Sequence, residues 1–203
     1  MASSPEQSRR VAGLLLAAGG GRRMGRAKAL LDDPAGGSYV ERGVRVLRAA
    51  GCDPVVVVLG AQAQEAWSLV SGGVAGGGTV VVEAADWAQG QSASLRAGLE
   101  AVAATAAESV VVLLVDLPDV GPEVVRRVRA ATAAAGPATL GRATYGGEPG
   151  HPVVLGHDHW AGVLELLAGD RGARDYLAAH PHTLVECGDL ATGVDTDSPA
   201  DLV

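Results

Sequence analysis

Short, wholly apolar runs alternate along the chain with longer segments in which apolar residues recur every three or four positions. The runs at 11–16, 55–59 and 110–115 read as strands, and the last is apolar on both faces, as a central strand covered by helices on each side is. Residues 39–50 set Val40, Val44, Val46 and Leu47 among Glu41, Arg42, Arg45 and Arg48 and stop at Gly51, which predicts an amphipathic helix ended by glycine. The same reading predicts a helix at 62–70, a strand at 79–83 and a helix at 92–107 capped by Gln91 or Ser92. After a helix at 123–135 the pattern is less regular. It suggests a strand at 138–144, a loop at 145–152 and a short strand at 153–155. Helices at 160–167 and 173–179, a strand at 183–187 and a last helical turn at 198–203 follow. This alternation predicts an α/β fold of three layers, a mostly parallel sheet with helices on both faces.

Composition narrows the class. At 203 residues the chain fits one domain, expected at 11–203 behind a disordered tail at 1–10. A hydrophobic share of 48% with 19% charge excludes a disordered chain, and Gly, Pro and charge interrupt the Ala/Val stretches too often for a membrane span. The net charge of −7 argues against a nucleic-acid surface, which needs a basic face that releases counterions. Cys52 and Cys187 are the only cysteines, too few for a disulfide framework or a four-ligand zinc site. Arg9 and Arg10 before the apolar run at 11–18 have the outline of an export signal. That run continues into Gly19–Gly21 and Arg22-Arg23 with no good cleavage site, so a buried first strand and a cytoplasmic address are expected.

Candidate chemistry sits at two strand ends, where open α/β sheets bind ligands. After the first strand, Gly19, Gly20 and Gly21 let backbone N–H groups approach phosphate oxygens, and Arg22, Arg23, Arg26 and Lys28 supply charge for a polyphosphate. A solvated basic turn would have the same composition. Two familiar phosphate motifs fail here. A Walker A loop needs Gly-Lys and then Ser or Thr, whereas Gly25 is followed by Arg26 and Ala27. The dinucleotide fingerprint needs a third glycine where Met24 stands, and the second strand ends in Leu59-Gly60 without an acidic residue. At the other strand end, Asp116 precedes Leu117 and Pro118, placed either to hold a hard cation or to cap a turn.

The segment LLLAAGGGRRMGRAK resembles the signature L-A-[AG]-G-x-S-x-R-M-G-x-x-K of the nucleotidyltransferases related to molybdenum cofactor cytidylyltransferase and guanylyltransferase. Leu16, Ala17, Ala18, Gly19, Arg23, Met24, Gly25 and Lys28 match in register, and Gly21 stands where serine is usual. The resemblance spans nearly the whole chain. Residues 86–98 resemble the W-x-x-G-x-x-x-S-L-x-x-G segment, and Val115-Asp116-Leu117-Pro118 the G-D-x-P segment, with Val115 in place of the frequent glycine. Residues 193–202 resemble the D-I-D-T-P-E-D-L ending, and 148–153 and 169–174 the P-G-H-P and G-D-x-G-A-R segments.

This resemblance implies a Rossmann-like nucleotidyltransferase fold and a nucleotide held by the backbone of Leu16, Ala17, Ala18, Gly19 and Gly21. Arg23 and Lys28 would neutralise its phosphates, with Ser94 a further contact or merely a group satisfying helix N–H donors. It implies Mg2+ on Asp116 and Asp195, with Asp197 a rival that could instead cap the last helix. His151, Asp170 and Arg174 would face the acceptor, though a lone histidine is often structural. The implied reaction is attack by an acceptor phosphate on the α-phosphorus of a nucleoside triphosphate, with Arg23, Lys28 and Asp116 as the catalytic set and no general base. Ala18 in L-A-A-G resembles the cytidylyl branch, implying CTP, molybdenum cofactor as acceptor and a molybdenum enzyme as recipient. GTP or a sugar or polyol phosphate are the alternatives within transferases. An oxidoreductase on the same fold and a non-catalytic chaperone for the cofactor are the alternatives outside them.

Overall fold

The computed structural model describes residues 10–21, 23–74 and 78–196. The tail before Arg10, the last helical turn at 198–203 and the roles considered for Arg22 and Asp197 lie outside these residues. The described residues form a seven-stranded sheet. Its strands in chain order are β1 (Val11–Ala17), β2 (Val55–Leu59), β3 (Thr79–Glu83), β4 (Ser109–Leu114), β5 (Leu140–Tyr145), β6 (Glu148–Gly156) and β7 (Thr183–Glu186). They lie in the order β3-β2-β1-β4-β6-β5-β7, with β6 antiparallel to both of its neighbours and every other pairing parallel. The chain therefore builds outward from β1 to β3, then crosses back to place β4 on the other side of β1. This reversal creates a crevice at the carboxyl ends of β1 and β4, the position where such sheets take ligands.

The six α-helices described are α1 (Tyr39–Ala49), α2 (Ala63–Leu69), α3 (Gln91–Ala103), α4 (Pro122–Thr132), α5 (His157–Leu166) and α6 (Arg174–Ala179). Successive side chains of a strand point to opposite faces, and the core divides accordingly. Leu15 and Ala17 of β1 pack with Val40, Val44 and Leu47 of α1 and Val124 and Val128 of α4. Leu14 and Leu16 pack with Leu95 and Leu99 of α3, Trp160 of α5 and Leu177 of α6. Helix α1 starts in a capping box, in which the Ser38 side chain accepts from the Glu41 N–H and Glu41 Oε2 accepts from the Ser38 N–H at 2.7 Å. None of the helices is long and apolar enough to cross a membrane, among the described residues.

Where the pattern was regular, prediction and structure agree: β2 and β3 occupy the expected residues, and α1 ends one residue early. The segment 145–152, expected as a loop, is instead a tight turn followed by most of β6. Gly146 and Gly147 have φ of 59° and 86°, the pair of positive values that a two-residue hairpin turn of the twist-matched kind requires. Pro149 and Pro152 are tolerated because β4 pairs with β6 only from Val153 to Gly156, leaving the earlier half without a partner on that side. Neither Gln91 nor Ser92 caps α3, whose N-cap is Gly90, and the helix ends at Ala103 rather than 107. Helix α5 begins three residues earlier than expected, at His157. Helix α4 gives way after Thr132 to a 3-10 segment, Ala133–Ala138, kinked at Gly136, whose φ is 59°.

Candidate active site

The crevice between β1 and β4 opens into a cleft of about 430 Å3, lined by Gly19, Gly20 and Lys28 on one wall and by Val115 and Asp116 on the other. Trp87, Gln91 and Ser94, from the start of α3 and the turn before it, close a third side. The glycine loop folds back on itself. The Met24 N–H donates to Gly21 O at 2.8 Å and the Lys28 N–H to Gly19 O at 3.3 Å. Gly21 has φ +54°, and a Cβ there would lie 2.1 Å from Arg26 O, so the serine usual at this position has no room in this loop. Beyond the loop, the 3-10 turn Lys28–Leu30 drives Ala29, Leu30 and Leu31 into the core. That anchorage fixes where Lys28 leaves the backbone.

Lys28 Nζ donates to Asp116 Oδ2 at 2.6 Å, and the two side chains are only 14% and 16% exposed. A charge pair this sheltered is screened far less than one on the surface. The Asp116 wall is held from two sides. Arg42 of α1 donates to Leu117 O at 3.2 Å and to Val120 O at 3.4 Å, and the Thr196 N–H donates to Asp116 O at 2.9 Å. Asp119 Oδ2 then accepts from the Thr192 N–H and hydroxyl, each at 2.5 Å, and from the Gly193 N–H at 3.3 Å. The segment carrying Asp195 is thus tied to the end of β4, and Asp195, exposed, stands next to a residue bonded to Asp116.

The sequence-predicted residues divide around this cleft. Leu16, Ala18, Gly19, Lys28, Ser94, Asp116 and Asp170 line it. Ala17 is fully buried in the opposite core layer, so only its backbone is available. Arg23, Asp195 and Arg174 are exposed and outside the lining. Asp170 Oδ1 accepts from the Gln91 N–H at 3.3 Å, satisfying one of the donors at the start of α3. Ser92 Oγ accepts from the Gly172 N–H at 3.3 Å, which ties α3 to the turn before α6.

His151 is on strand β6 rather than in a loop. It faces a small cavity that shares Leu16 and Gln91 with the main cleft. Burial, then the neighbouring Arg142, pushes its imidazole down to about 4, so it is neutral at pH 7. Residues that motif reading passed over are Asp119, Arg42 and Gln62. Their roles run through backbone groups of distant segments, which no local pattern encodes.

An open sheet with a glycine loop and a Lys–Asp pair at its reversal point has the layout of an α/β protein that takes its ligand at the carboxyl ends of its strands. Comparison narrows the class: residues 13–184 match the MobA-like NTP transferase domain, and the chain belongs to that family. Nicotine blue oxidoreductase of Paenarthrobacter nicotinovorans is 32% identical over 197 residues, covering 93% of this chain and 92% of that protein. A probable molybdenum cofactor guanylyltransferase of Opitutus terrae is 39% identical over 110 residues, 53% of this chain and 48% of that one. Among solved structures, Rv0371c of Mycobacterium tuberculosis H37Rv superposes with a TM-score of 0.74 at 28% identity, covering 97% of each chain. Rv0371c in complex with manganese gives 0.64 at 29% identity over 94% of this chain and 95% of that one. A nucleotidyl transferase from Methanothermobacter thermautotroptrophicus shares the fold, with a TM-score of 0.76 at 23% identity over 95% and 94% of the two chains.

Proposed function

We propose that the chain is a metal-dependent nucleotidyltransferase that binds a nucleoside triphosphate in the β1/β4 cleft. It would transfer the nucleoside monophosphate to a phosphate-bearing acceptor. The observation that carries this reading is the sheltered Lys28–Asp116 pair at the mouth of the cleft. A cation and a carboxylate held together are poised to be parted by a phosphate and a metal ion, each taking the partner of opposite charge. The oxygen donors suit magnesium, which needs one or two carboxylates and completes its shell with substrate phosphates and water. No three His, Cys, Asp or Glu side chains converge as a metal cage among the described residues, so Asp116, with Asp195 beside it, would share the ion with the nucleotide. Bound there, a divalent cation neutralises charge on the triphosphate.

The loop backbone at Gly19 and Gly20 orients the phosphates, and Lys28 stabilises charge developing on the leaving pyrophosphate. Arg23, on the exposed arm of the loop, adds to that stabilisation once the nucleotide is bound. An oxygen of the acceptor phosphate attacks the α-phosphorus, the bond to the β-phosphate oxygen breaks, and pyrophosphate leaves with that electron pair. The nucleophile is already ionised, so no side chain has to remove a proton, and neutral His151 is suited to donating or accepting a hydrogen bond with the acceptor. Asp170 and Arg174 would complete the acceptor side, as the family resemblance implies. Ala18 favours CTP, whereas the guanylyltransferase relative favours GTP. Molybdenum cofactor as acceptor, with a molybdenum enzyme receiving the product, follows from the family resemblance and that relative.

One observation favours a second reading. A relative matched over 92% of its length is named an oxidoreductase, so the same cleft could serve transfer of reducing equivalents from a reduced nicotinamide dinucleotide to a small organic acceptor. One set of assays separates the two. Pyrophosphate release is measured with each of the four ribonucleoside triphosphates, magnesium or manganese, and molybdenum cofactor, in parallel with oxidation of NADH and NADPH. Release with CTP or GTP supports the transferase. Release with none, alongside acceptor-dependent oxidation of the reduced dinucleotide, would overturn it.

A further inference from the structure

The turn after β2 touches the glycine loop at both of its ends. The Ala61 N–H donates to Ala18 O at 3.1 Å, where the loop leaves β1, and the Ala27 N–H donates to Gln62 Oε1 at 2.7 Å, where the loop re-enters the core. Gln62 lies 35 residues from Ala27 in sequence, so this bond is a tertiary tie. Its other amide atom, Nε2, donates to Glu65 Oε1 at 3.3 Å, which fixes the amide orientation so that oxygen faces the loop. The backbone of Gln62 has φ 50° and ψ 38°, and it is the one non-glycine residue with positive φ among those described. A glutamine held in the left-handed region is strained and persists only where its surroundings over-determine it. Ala27 is fully buried and immediately precedes Lys28, whose ammonium reaches Asp116.

We infer that Gln62 is a positioning residue of the active site: its side-chain carbonyl pins the Ala27 N–H and thereby fixes Lys28 over the cleft before any nucleotide arrives. The strained backbone of Gln62 is what aims that carbonyl at Ala27. The inference deepens the transferase reading, on which its catalytic consequence rests, while the pinning itself is a property of the protein alone. A fixed Lys28 lowers the reorganisation required in the transition state, and a misplacement of about 1 Å can cost about a hundredfold in rate.

The variant that isolates this role is Gln62→Gly. Glycine adopts positive φ without strain, so the turn keeps its path while the side-chain tie is lost, and relief of that strain offsets part of the cost of the lost buried bond. The expected result has three parts: faster amide hydrogen exchange at Ala27 and Lys28, a melting temperature only modestly below that of the native chain, and kcat for pyrophosphate release lowered about tenfold or more with a smaller change in KM. Gln62→Glu keeps an oxygen for Ala27 but loses the donor to Glu65, so it is combined with Glu65→Gln, and the double variant should retain native exchange at that amide. Unchanged exchange at Ala27 in Gln62→Gly would overturn the pinning, and faster exchange with unchanged kcat would overturn its role in positioning. If the native chain releases pyrophosphate from no nucleotide, the transferase reading fails, and the exchange measurement still decides whether Gln62 pins the loop.

Discussion

Lys28 illustrates how little of a candidate functional residue's placement lies in its own side chain. Its ammonium is held on Asp116 by Ala29, Leu30 and Leu31, buried behind it, and by Gly19, which closes the loop in front of it. Gly21 shows the same dependence in reverse. The family's usual serine would place its Cβ 2.1 Å from Arg26 O at a positive φ, so this loop is built around the glycine. Gly21→Ser should therefore cost about 1–3 kcal/mol, read from urea unfolding, and not act as a restored contact. A variant as stable as the native chain would mean that the loop reshapes around serine. His151 makes a pH prediction. Its folded value of about 4 lies below the ordinary 6.5, so between those values the unfolded chain binds the extra proton. Stability should fall as pH drops from about 6.5 to about 4, by at most about 3 kcal/mol, and His151→Gln should flatten that part of the curve.

Among the elements, legibility followed the physics of burial. The strands β1, β2 and β4 are apolar on both faces because helices cover both, and such runs announce themselves without any knowledge of their neighbours. Strand β6 does not. Half of it pairs on one side only, which admits Pro149 and Pro152, and those prolines hid the strand. In the site, the glycine loop, Lys28 and Asp116 were legible because their chemistry is local, whereas the hydrogen bonds that aim them cross tens of residues.

The β5–β6 hairpin is held by a group from a third strand, Glu186 of β7. Its carboxylate accepts from Thr144 Oγ1 at 2.8 Å and from the N–H groups of Gly146, Gly147 and Gly188 at 2.8, 3.1 and 2.9 Å. Those bonds, the Thr144 hydroxyl foremost, pull it down to about 2 from the ordinary 4.5. The stabilisation is present above about 4.5 and is lost as pH falls through about 2. Glu186→Gln should melt lower than the native chain at pH 7, the two should converge near pH 2, and exchange at Gly146 and Gly147 should quicken. Parallel melting curves across the acid range would show that the carboxylate adds nothing to the hairpin.

Across the whole molecule, the reversal of strand order is what assembles the site. It opens the crevice between β1 and β4, and the segment after β7 then crosses the fold to the same place. Three ties hold that segment there: Arg127 to Asp189 at 2.5 and 2.9 Å, Asp119 to Thr192 and Gly193, and Thr196 to Asp116. The Tyr39 hydroxyl, 3.5 Å from Thr196 Oγ1 in the core, marks where the segment is finally buried. Under the proposed mechanism these ties set the approach of Asp195 to Asp116, which would make Asp119 a distant determinant of metal affinity. Asp119→Ala removes three hydrogen bonds to the segment and touches neither carboxylate. Manganese affinity, measured by titration calorimetry in the presence of CTP or GTP, should fall about tenfold, within the range typical for groups that orient metal ligands. Asp195→Ala should match it, and combining the two should add little, because both act through one carboxylate. Full native affinity in Asp119→Ala together with loss in Asp195→Ala would mean that Asp195 is placed by contacts other than the Asp119 tie. Native affinity in both would leave Asp116 and the nucleotide phosphates as the ion's only anchors.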